Sequence, residues 1–60
     1  GPALEMKLRK LVPTNKIELL PLIKKLFYKE KIYKIKEILL GGQKAQIYMN
    51  DLITKAEELM

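Results

Sequence analysis

Catalysis needs side chains whose protonation or nucleophilicity can be tuned. This chain offers seven carboxylates, eleven lysines, one arginine, three tyrosines and two threonines, and it contains no serine, cysteine or histidine. Cysteine nucleophiles, histidine bases, disulfides and metal sites built on Cys or His are therefore excluded. Glu57 and Glu58 are adjacent near a helix end and point in different directions, which suits a solvated surface better than a paired acid and base. Asn50-Asp51 lacks the third acidic neighbour of a calcium loop and reads as a helix cap. Gly41-Gly42 is followed by Gln43-Lys44-Ala45 without a further glycine, so it matches neither a phosphate-binding loop nor a dinucleotide fingerprint. No enzyme, cofactor, metal or small-molecule substrate is expected.

The chemistry that the spacing favours is non-covalent. Lys24, Lys25, Lys29, Lys31, Lys34 and Lys36 are interleaved with Phe27, Tyr28 and Tyr33, with Glu30 the single acid among them. Such a stretch can neutralise phosphates while Tyr28 or Tyr33 stacks on bases. It can equally be a solvated face whose lysine stems cover apolar surface while the aromatics enter the core. Eleven lysines to one arginine weaken the nucleic-acid reading, because base edges are most often read by arginine. The net charge of +5 is also uneven: residues 1–36 carry +7 and residues 37–60 carry −2. This polarity permits contact between copies or pairing within one chain.

The preferred reading is a protein–protein interaction or self-assembly module that uses an apolar helical face. Apolar residues make up 48% of the chain, more than so short a domain readily buries, and Met6, Met49 and Met60 suit adaptable contacts. Leu22, Leu26, Phe27, Tyr28, Ile35, Leu39, Met49, Leu52 and Ile53 are the residues expected to divide between core and interface. A nucleic-acid-binding domain using the lysine stretch is the alternative. A membrane-surface role ranks below both, since the chain has no tryptophan and no lipidation motif.

These side chains must be positioned within 60 residues, which allows one domain, taken as residues 3–60. Gly1-Pro2 reads as a tag-cleavage remnant. No signal-peptide pattern is visible and no run approaches the ~20 apolar residues that cross a bilayer, so an intracellular location is expected. Ala3 to Val12 is rich in helix formers, with Leu4, Leu8 and Leu11 on one helical face, although Met6, Leu8 and Val12 also alternate as in a strand. Pro13 ends this segment, and Asn15 with Glu18 reads as a capping box for a helix starting near Lys16. Pro21 would lie inside that helix, which must either kink at Leu20 or give way after a short turn to a helix restarted with Pro21 at its first position.

Leu22, Ile23, Leu26 and Phe27 have helical spacing, and Ile32, Ile35, Ile38 and Leu39 resume it on a rotated face. The slip between them implies a tight turn, or one helix presenting different faces to different neighbours. Gly41-Gly42 then closes one helix and opens another whose buried stripe is Ala45, Met49, Leu52, Ala56 and Leu59. In a competing β reading, Gly41-Gly42 is a hairpin turn, Ala45, Ile47 and Met49 form a strand, and Asn50 caps a last helix. One valine and two threonines are too few for a sheet. The fold expected is therefore all-α, a small three- or four-helix bundle, with α+β (β-α-β-β-α) as the alternative.

Overall fold

Pro21 dictates how the first half of the chain is built. The computed structural model describes the backbone of residues 2–60 and the side chains of residues 3–30 and 34–60. It comprises α1 (Pro2–Leu11), a 3-10 helix (Thr14–Leu19), α2 (Leu20–Leu40) and α3 (Gly42–Glu58). Among the described residues there is no strand, so the chain is a small all-α bundle and the hairpin at Gly41-Gly42 is overturned.

In α1, Leu4 and Leu8 are buried and Leu11 is partly so, whereas Met6 is exposed. A strand would have put Met6 on the same face as Leu8, and the 3.6-residue period separates them. Val12, just beyond the helix, is also buried. The capping box at Asn15 and Glu18 does not form. The 3-10 helix begins earlier, at Thr14, with Pro13 extended before it (φ −57, ψ 145) and no side-chain cap. The Lys16 N–H donates to the Pro13 carbonyl at 2.9 Å and closes the first turn.

Proline at position 21 cannot supply an N–H to the Ile17 carbonyl, as an α-helix would require. The tighter 3-10 turn solves this, because the Leu20 N–H reaches that carbonyl instead. The α-helix then restarts at Leu20 with Pro21 in its first turn, where no intrahelical donor is owed. Leu19 and Leu20, at the junction, are both buried.

From there α2 continues without a break through the segment where the apolar phase slips. The slip is therefore a change of face within one helix. Leu20, Ile23, Phe27 and Ile38 point inward, while Tyr28, Ile35 and Leu39 point out. At about 1.5 Å per residue its 21 residues run about 31 Å, comparable with the 28 Å extent of the molecule along its longest principal axis. This helix packs against α1, the 3-10 helix and α3.

Gly41 alone separates α2 from α3. Its φ of 73° and ψ of −152° lie in a region essentially restricted to glycine, and Gly42 also has a positive φ of 76°. The Gly41 N–H donates to the Glu37 carbonyl at 3.0 Å and so caps α2. In α3 the expected stripe of Ala45, Met49, Leu52 and Ala56 is fully buried. Leu59 falls beyond the helix end and is exposed, and Asn50 lies within the helix rather than at its start, correcting both expectations. Leu8, Ile23, Phe27, Ile38, Met49 and Leu52 are the largest fully buried side chains and form the centre of the core.

Candidate interaction surface

The six lysines of the basic stretch do not act as one set. Lys24 donates to Glu5 of α1 at 2.7 Å, tying α2 to the first helix. This contact holds the Glu5 carboxyl below its ordinary value, chiefly through the hydrogen bond from Lys24 and then through its charge. Lys34 pairs with Glu37 at 3.5 Å and stands over the Tyr48 ring, 5.2 Å from its centroid, a cation–π distance. Lys31 and Tyr33 lie outside the described side chains. Lys25, Lys29 and Lys36 are exposed and take no part in the ion pairs among the described residues. Their separations of four and seven residues place them on one outward side of α2.

Beside that row stand the exposed apolar side chains of the same helix. Tyr28 is 44% exposed, Ile35 36% and Leu39 46%. They too recur at seven and four residues and share a face. Leu40, at the end of α2, is 85% exposed. The other residues expected to serve the core or an interface are placed differently. Phe27, Met49, Leu52 and Ile53 are buried and closed to a partner, while Leu22 and Leu26 lie at the core margin. Burial of Phe27 also removes it as a base-stacking ring.

On the side facing α3 lies an open groove of about 650 Å³. Glu30, Lys34 and Glu37 line it from α2, with Lys44, Ile47, Tyr48, Asp51 and Lys55 from α3. The Tyr48 hydroxyl donates to Glu30 at 2.9 Å, and the other oxygen of that carboxylate accepts from Lys55 at 3.4 Å. Lys55 also pairs with Asp51 at 3.1 Å, and these two carboxylates keep its ammonium above its ordinary pKa. The charges therefore engage one another and clamp α2 to α3. Among the described residues no group of three carboxylates is placed to hold a metal ion.

Burial, reinforced by the hydrogen bond to Glu30, pushes the Tyr48 phenol well above its ordinary value of 10.0. A raised phenol pKa means that folding favours the neutral form. Its contribution to stability is complete below about pH 10 and is lost as pH rises toward the folded-state value. In a spectrophotometric titration of tyrosinate, Tyr48→Phe should remove a late-ionising step. If the last step is unchanged in the variant, Tyr48 is not buried against Glu30 in solution.

No protein-family model, curated protein or solved structure matches this chain. What the surface can do must therefore be read from its own side chains.

The polarised charge is partly matched inside the fold. Lys16 reaches Glu57 at 2.9 Å, joining the basic first part of the chain to the acidic last helix. Glu57 is thus an ion-pair partner, and Asn50 accepts from the Gln46 amide at 3.1 Å within α3. Sequence reasoning passed over Tyr48, although burial of its ring beside a polar groove sets the α2–α3 contact. Ile47, read as a strand position in the β alternative, instead lies on α3 and lines the groove. A helical wheel beginning at Gly42 would have put Tyr48 beside the Ala45 and Met49 face. No helix among the described residues is long and apolar enough to cross a membrane.

Proposed function

We propose that this domain is a non-enzymatic docking module that binds protein through the outward face of α2. The observation that carries this reading is the two-faced helix: Ile23, Phe27 and Ile38 are fully buried on one side, while Tyr28, Ile35 and Leu39 remain partly exposed on another. A helix serving the core alone would be polar on its outer side. An apolar stripe at helical spacing is a form that partner helices engage.

Adding amphipathic helical peptides with differently charged rims to the isotope-labelled domain tests the reading. The amide resonances of Tyr28, Ile35 and Leu39 should shift for at least one peptide, and the combined change Ile35→Asp and Leu39→Asp should abolish the shifts while leaving helix content intact. No shift with any peptide would overturn the reading.

One observation favours nucleic acid as a second reading: Lys25, Lys29 and Lys36 form a row of exposed ammonium groups along α2. Retention on random duplex that falls steeply between about 50 and 200 mM salt would support it. No retention at the lower salt would remove it.

A further inference from the structure

We infer that the outward face of α2 takes an acidic amphipathic helix from another protein rather than a second copy of this chain, an inference that rests on the docking reading above. Size comes first. Tyr28 to Leu39 and Lys25 to Lys36 each run for eleven residues, about 16 Å along the axis. Together they extend from Lys25 to Leu39, about 21 Å, so a partner helix of about four turns covers both rows.

Charge then selects the occupant. The exposed rim consists of Lys25, Lys29 and Lys36, whereas Glu30 and Glu37, the carboxylates of α2, turn into the groove against α3. Two copies paired through α2 would set lysines against lysines. Elsewhere Glu5, Glu57 and Asp51 are already paired with Lys24, Lys16 and Lys55. That leaves Glu18 and Glu58, on separate elements, as the carboxylates a second copy could offer from outside its own ion pairs. They do not form a row matching three lysines. A helix with an apolar seam and glutamates beside it supplies both complements.

Two other anionic surfaces fit less well. Ile35 and Leu39 are each more than half covered by the fold, too shallow to sink into an acyl layer. Among the described side chains of this face Tyr28 alone offers a nucleobase a ring, and Ile35 and Leu39, which continue the stripe, are aliphatic.

The test uses the intact 60-residue chain and three dye-labelled helical peptides sharing one leucine seam, with rims of glutamate, glutamine or lysine. Fluorescence anisotropy at low salt should give the glutamate peptide roughly tenfold tighter binding than the glutamine peptide, and weaker binding still for the lysine peptide. The advantage should vanish near 1 M salt, where screening acts within about 3 Å. It should also vanish in the combined variant Lys25→Gln, Lys29→Gln, Lys36→Gln, which keeps the apolar stripe. Equal binding of glutamate and glutamine peptides overturns the acidic partner and leaves docking standing, whereas no binding of any peptide removes both. A dimer in sedimentation that Ile35→Asp with Leu39→Asp dissociates would make the occupant a second copy and overturn the inference. Tighter, lysine-dependent binding of duplex DNA or of vesicles containing phosphatidylserine would overturn it as well.

Discussion

Phe27→Ala should abolish cooperative unfolding of the domain, while Tyr28→Ala, one residue away, should leave a folded protein. Phe27 is fully buried and lies in aromatic contact with Tyr48 across the α2–α3 interface, ring centroids 6.4 Å apart. Truncating a buried phenylalanine costs about 3–5 kcal/mol through lost transfer energy and the cavity left behind. A core of this size supplies on the order of 3–5 kcal/mol in total, so the loss removes essentially all of it. Tyr28 is 44% exposed and meets Phe27 edge-on at 5.6 Å. Its removal forfeits about 0.5–1.5 kcal/mol of ring contact. Urea unfolding followed by circular dichroism separates the two, and a Phe27→Ala chain that kept a sharp transition near that of the parent would contradict the packing described.

Gly41→Ala should cost about 1–3 kcal/mol even though the added methyl group meets nothing. A Cβ built there has no atom within 4 Å, so the penalty is conformational and not steric crowding by neighbours. At φ 73° and ψ −152° an L-residue is strained, whereas its mirror-image residue is relaxed. A synthetic chain with D-alanine at this position should therefore melt at or above the temperature of the parent, while the L-alanine chain melts well below it. Equal melting temperatures for the two would show that the corner does not have this geometry.

The helices were largely readable from the sequence because their signals are local. Leu4, Leu8 and Leu11 repeat at helical spacing, and Ala45, Met49, Leu52 and Ala56 do the same, so periodicity marked their faces, although it left a strand open in both segments and carried the second stripe on to the exposed Leu59. Pro21 likewise showed that no regular α-helix could run from Lys16 to Leu26. Choosing between a kink and a restart required knowing that Leu19 and Leu20 are both buried and that Leu20 satisfies the Ile17 carbonyl through a shorter turn.

The surface was harder to read because its character depends on partners distant in sequence. Lys24 and Lys25 are adjacent and chemically identical, yet Lys24 is bound to Glu5, nineteen residues away, and Lys25 is exposed. The Tyr48 bond to Glu30 spans eighteen residues. Composition could show that lysines were abundant, but only the packing of α1 and α3 on α2 determines which of them face outward.

The single-residue corner at Gly41 also bears on how the chain reaches its fold. Joining two helices through one residue leaves almost no loop to close, so bringing α2 and α3 together has a small entropic barrier. Neighbouring elements in the chain are also neighbours in space, which gives mostly short-range contacts and folding on the microsecond to millisecond scale. The α2–α3 hairpin is then the expected nucleus, with α1 packing on it afterward. Straining this corner with L-alanine at position 41 should consequently slow folding more than it speeds unfolding.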